Sequence, residues 1–177
     1  QRGFIFAIDL TSGRVFEMDQ EANLVAVFGG MGSQLGTFTT PVAVEAYGDK
    51  IYVLDRLKNN ITVFEPTEYG ALVEEAICRY NEGLYEEASG LWMEVLARNA
   101  NSKLAYNGIG KAYTQAEEYT GALQYLRYSG DKYSYSRAFG KNRLVMVRRY
   151  GPYFIAVAVC AVLGISVRKR IVRRKKK

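Results

Sequence analysis

The sequence predicts a mixed β plus α chain in three parts: strands first, paired helices second and a single apolar helix last. Three observations predict it: a strand pattern that recurs after 46 residues, a helical pattern that recurs after 34 residues, and a run of fifteen uncharged residues from Tyr153 to Val167. At 177 residues the chain is short enough for one domain, but its composition changes too sharply along its course for one core to explain it. It opens on Gln1 with no signal-like segment before the first strand pattern, and it is expected to be a piece of a longer protein.

The formal net charge of +6 divides by position. Residues 1 to 131 hold 10 basic against 18 acidic side chains, a net of −8, whereas the last ten residues hold eight basic side chains and no acid. A nucleic-acid groove needs basic residues spread over a folded face with aromatics between them, so nucleic acid is not expected as a partner. Histidine is absent, which removes the commonest metal ligand and general base. No cofactor and no catalytic residue are expected. Cys78 falls in the helical pattern and Cys160 in the apolar run, and both are expected as thiols.

Residues 4 to 65 alternate β-branched and aromatic side chains with polar ones in short runs bounded by Gly, Asn and Asp, which is the pattern of strands. The runs from Phe4 to Asp9 and Arg14 to Asp19 return as Lys50 to Asp55 and Asn60 to Glu65. Two further strands, over Leu24 to Phe28 and Val42 to Glu45, lie between these hairpins, so one period holds about four strands and reads as a propeller blade. Asp9 and Asp55 recur at equivalent strand ends, where a carboxylate accepts backbone N–H groups of the following turn.

Residues 4 to 65 resemble the NHL repeat in Phe28-Gly29-Gly30, Gly32, Gly36, Phe38 and Pro41 to Val44, followed by Ile51 to Asp55 and Ile61 to Phe64. The resemblance implies a propeller of about six blades, of which this chain holds less than two. Related propellers include metal-dependent lactonases, which gives the alternative reading of an enzyme, or of a ligand sensor, whose active blades lie outside this segment.

Pro66 ends the last strand and Thr67 is placed to cap the helix that follows, with Glu68 at its positive end. Tyr85, Ala88 and Trp92 return 34 residues later as Tyr119, Ala122 and Leu126, and Leu72 and Ala76 as Tyr106 and Gly110. Small residues at 76, 88, 110 and 122 let helices approach, and the larger ones fill the space between. On these residues and on Leu104 to Tyr113, residues 69 to 130 resemble the tetratricopeptide repeat. The first copy departs from the pattern at Glu75 and Arg79. The resemblance implies stacked helix pairs with a concave face that holds a protein or peptide, and it assigns Tyr80, Asn81, Asn107, Lys111 and Gln115 to that face. Tyr133, Tyr135, Ala138, Phe139, Leu144 and Val147 continue the helical spacing and are expected as the core of a capping helix.

The fifteen-residue apolar run reaches roughly 22 Å as a helix, short of the about 30 Å of a bilayer core. Its flanks extend it. Tyr150 and Tyr153 suit one interface, and Arg168, Lys169 and Arg170 can snorkel at the other. The expected partners are therefore a protein or peptide and the lipid bilayer. Eight basic residues after the run against four from Lys141 to Arg149 put the C-terminus in the cytoplasm and the repeats outside.

The expected division is 1–66 as partial NHL-like propeller, 67–130 as two tetratricopeptide repeats, 131–150 as capping helix, 151–170 as transmembrane helix and 171–177 as basic tail. This order, with Tyr135 to Phe139 before the membrane helix, resembles bacterial surface proteins in which a Yip-type membrane domain follows. The resemblance implies a non-enzymatic cell-membrane scaffold, with a place beside carbohydrate uptake systems.

Overall fold

The computed structural model describes the backbone of residues 3 to 174 and the side chains of residues 3 to 165. Six strands come first: β1 (Ile5–Asp9), β2 (Arg14–Met18), β3 (Leu24–Gly29), β4 (Pro41–Tyr47), β5 (Lys50–Asp55) and β6 (Asn60–Phe64). Five helices follow: α1 (Glu68–Asn81), α2 (Tyr85–Arg98), α3 (Lys103–Gln115), α4 (Tyr119–Ser129) and α5 (Lys132–Arg174). The alternating runs of the sequence thus form strands, in two antiparallel three-stranded sheets of order β1-β2-β3 and β4-β5-β6. The chain divides the expected four-strand period three and three, and no closed sheet forms among the described residues.

Registers are set by the hairpins. Ile5 pairs with Met18 and Asp9 with Arg14 in the first, and Ile51 pairs with Phe64 and Asp55 with Asn60 in the second. A bulge between Glu17 and Met18 bends β2 where it feeds the turn to β3. The sheets meet through Val15, Phe38 and Val53, flanked by Phe6, Ile8, Phe28, Val44 and Phe64. Phe38 comes from the loop between the sheets, held by hydrogen bonds from Phe38 N to Gly30 O and from Gly32 N to Phe38 O. Gly29 is required there, since φ is +78° and an added Cβ would lie 2.6 Å from the Phe38 ring.

Thr67 caps α1 as expected, its hydroxyl accepting from Gly70 N at 3.1 Å. Positions 34 residues apart occupy equivalent places in the helical hairpins α1/α2 and α3/α4: Ala88 and Ala122, and Trp92 and Leu126, are all buried. Close approach explains the small residues. A Cβ on Gly110 would lie 2.4 Å from the Leu126 side chain and 3.2 Å from its backbone nitrogen, and one on Gly108 would lie 2.4 Å from the Trp92 ring. The main helical core of Val73, Ala76, Ile77, Trp92, Val95, Ala105 and Ile109 also receives Phe4 and Val25, so the first sheet packs on the helices. Cys78 and Cys160 form no disulfide.

Gly130 turns the chain in the left-handed region at φ 76°, and Asp131 caps α5 by accepting from Tyr133 N and Ser134 N. The expected capping core is corrected here. Ala138 is fully buried against Ala122 and Leu126, but Tyr133, Tyr135, Phe139, Leu144 and Val147 are exposed. Helix α5 touches α3 and α4 along its first turns and then runs on as one helix of 43 residues through Pro152. Its segment Lys132–Ile165 is long and apolar enough to cross a membrane, and its apolar stretch is not buried in the protein.

Candidate groove on the inner helices

Helical spacing puts Asn107, Lys111 and Gln115 of α3 on one face, at intervals of four residues. Tyr80 and Asn81 come from the last turn of α1, and Tyr133, Ser134 and Arg137 from the first turns of α5. All eight border a pair of adjoining cavities. The smaller, about 40 Å³, includes Tyr80, Asn81, Asn107 and Lys111 in its wall; the larger, about 320 Å³, includes Tyr80, Lys111, Gln115 and Arg137. The five residues assigned to a binding face thus share a groove. Their surroundings differ: Asn107 is buried, Tyr80 and Lys111 are half-buried, and Asn81 and Gln115 are exposed.

The groove also holds part of the chain itself. The turn between β2 and β3 enters it, and Glu21 makes an ion pair with Lys111. Asp19 shapes that turn, its carboxylate accepting from Glu21 N at 2.9 Å and from Asn23 N at 2.8 Å. Beneath the turn, Trp92 Nε1 and Asn107 Oδ1 are buried without a hydrogen-bond partner. Asn107 uses its other end, donating to Asp131. Burial works against ionisation of Asp131, yet bonds from the Ser134 hydroxyl, the Ser134 and Tyr133 backbone and Asn107 hold its pKa below the usual carboxylate value.

A second carboxylate lies at the seam between the first sheet and α1. Glu17 is 4% exposed and near Glu74, and its Oε1 has no hydrogen-bond partner. Burial first, and the Glu74 charge second, push its pKa up to about 7. Asp55 has the opposite environment. Burial would raise its pKa, but backbone N–H groups of Lys58, Thr39, Thr40 and Leu57 outweigh that and lower it. Its place at the end of β5 is structural, as the sequence pattern implies. Among the described residues no three His, Cys, Asp or Glu side chains converge as a metal site.

Asp131 and its cap were legible as a Gly-Asp pair before a helical pattern. Glu21 was not, because its partner lies 90 residues away. Glu17 reads in sequence as an ordinary solvent-facing strand residue. Tyr150 and Tyr153 are exposed on α5, and Arg149 lies 5.7 Å from the Tyr150 ring centroid. The side chains of Arg168, Lys169 and Arg170 lie outside the described residues.

The fold and groove define a small β unit seated on helical hairpins that lead into a helix of membrane-crossing length. Compared with known proteins, the chain matches no family model, no curated protein and no solved structure.

Proposed function

We propose that the chain is part of a membrane-anchored scaffold that holds a protein or peptide partner in the groove of its inner helices. The observation that carries this reading is the convergence of Tyr80, Asn107, Lys111 and Gln115 on cavities bordered by the start of α5, the helix that continues into the apolar segment. Amide, hydroxyl and ammonium groups in a concave wall suit the polar backbone and side chains of a peptide. A partner held there sits close to the lipid surface.

The 46-residue offset supports a propeller origin for the β unit. It places β1 and β2 on β5 and β6, so β4 stands before the shared hairpin and β3 after it, and the composite order is a four-stranded blade. The excess of basic residues after the apolar run supports a cytoplasmic C-terminus with the helical hairpins outside. Protease protection of the hairpins in intact cells would reverse that orientation.

The central test is crosslinking of the membrane-embedded protein followed by mass spectrometry, with the wild type beside an Asn107→Ala, Lys111→Ala, Gln115→Ala variant. Loss of specific partners in the variant is expected. An unchanged partner set would refute groove binding.

A further inference from the structure

The β2–β3 turn lies in the groove as a ligand would. Its shape comes from its own residues: Asp19 binds Glu21 N, Asn23 N and the Asn23 side-chain amide, and Ala22 takes the left-handed conformation at φ 62°. The turn therefore projects Glu21 as a preformed carboxylate, and Glu21 pairs with Lys111. The fit beneath it is incomplete. Trp92 is 2% and Asn107 9% exposed, and the indole N–H of one and the amide oxygen of the other remain without partners beside the 40 Å³ cavity under the turn.

On the far side of the Glu21 and Lys111 pair the groove widens to about 320 Å³. Arg137 borders this space, is exposed and forms no ion pair among the described residues. Asp131, the one other acid of that wall, is engaged in capping α5 and binding Asn107. With Glu21 removed, Lys111 and Arg137 would be left as two cations along a groove whose remaining acid is already committed. The charge pattern favours a segment with more than one carboxylate.

We propose that the β2–β3 turn is a tethered occupant of the groove, and that an acidic peptide segment displaces it by replacing Glu21 on Lys111 and extending to Arg137. This rests on the groove being a docking face. A tethered carboxylate competes at high effective concentration, so it weakens the apparent affinity of an outside ligand without contacting it. Displacement would expose the orphaned Trp92 and Asn107 groups to peptide amides, which can satisfy both.

The test is fluorescence anisotropy of a labelled hexaglutamate peptide titrated with the whole chain in detergent micelles, with hexaglutamine as the neutral probe. Glu21→Gln is expected to tighten hexaglutamate binding about fivefold to tenfold by freeing the groove. Lys111→Gln and Arg137→Gln are each expected to weaken it about tenfold, and hexaglutamine is expected not to bind. Circular dichroism of each variant checks that the substitutions, two at exposed positions and one at the half-buried Lys111, leave the fold intact.

Affinity that ignores all three substitutions would assign the probe to the basic run at the end of the chain and overturn the proposal. Equal or weaker binding by Glu21→Gln would show that the turn is no competitor. If crosslinked partners still depend on Asn107 and Gln115 in that case, only the tethered occupant falls. If they do not, the docking face falls with it.

Discussion

The two sheets carry one hairpin pattern 46 residues apart, yet equivalent positions meet opposite environments. Val15 of β2 is 0% exposed and its counterpart Ile61 of β6 is 60% exposed. Asp9 is exposed and accepts only from its own turn, at Thr11 N and Ser12 Oγ, while Asp55 is buried and also accepts from Thr39 N and Thr40 N. Polarity is inverted as well between Glu17, a carboxylate buried against α1, and Val63, its exposed apolar counterpart. Neighbouring elements explain the difference. Strand β2 is central, paired to β1 and β3, whereas β6 is an edge because Pro66 and Thr67 begin a helix where a third strand would stand. Asp55 in turn gains donors from the segment entering β4, and β1 has no equivalent strand before it among the described residues.

This comparison can be broken by substitution. The largest expected effect is at the paired aspartates. Asp55→Ala strips an acceptor from four backbone N–H groups and is expected to lower Tm on the order of 10 °C, whereas Asp9→Ala should shift it by less than about 2 °C. Differential scanning calorimetry in micelles measures both. Equal shifts would mean that the Thr39 and Thr40 donors before β4 contribute nothing.

The next effect is a pH dependence at the seam. Glu17 has its pKa raised from 4.5 to about 7 in the fold, so the folded state holds this proton more tightly than the unfolded state does. Its contribution is fully favourable below pH 4.5 and declines as pH rises to about 7, to a total of roughly 3 kcal/mol. Glu17→Gln should remove that slope from urea denaturation measured between pH 4.5 and 8, with the gain in stability greatest above pH 7. A slope unchanged in the variant would place the titrating group elsewhere.

A smaller contrast separates the central strand from the edge. Val15→Ala should cost about 2 kcal/mol by urea denaturation, through lost burial and the cavity left between the sheets. Ile61→Ala should stay within about 0.5 kcal/mol, since water already covers much of that side chain. Smaller than the loss at Val15 is that of Thr67→Ala, which removes the acceptor for Gly70 N and should cost about 1 kcal/mol with a shorter, frayed α1 by circular dichroism.

Much of the fold was legible because its signals are local. Alternation over Ile51 to Asp55 sets a strand, Thr67 sets a helix start, and Gly110 marks a close helix approach, each through chemistry contained within a few residues or one repeat. Helical spacing puts Asn107, Lys111 and Gln115 on one face of α3, whereas their assignment to a binding face came from the tetratricopeptide resemblance. The aromatics after Asp131 misled for the complementary reason. Their spacing shows that they belong to a helix, but not how far that helix stays beside its neighbours, and α5 leaves the array after its first turns.

The sequence by itself determined the six strands, the helical hairpins with the Thr67 cap and their small contact residues, and a final helix apolar enough for a membrane, because backbone preference and hydrophobic period act along the chain. Only the tertiary structure decided that Glu21 fills the groove, that Glu17 is buried beside Glu74, and that Asp55 is enclosed while Asp9 is not. Those outcomes depend on which distant element covers a position. Burial and ion pairing arise between residues far apart in sequence, and no local pattern encodes the neighbour that supplies them.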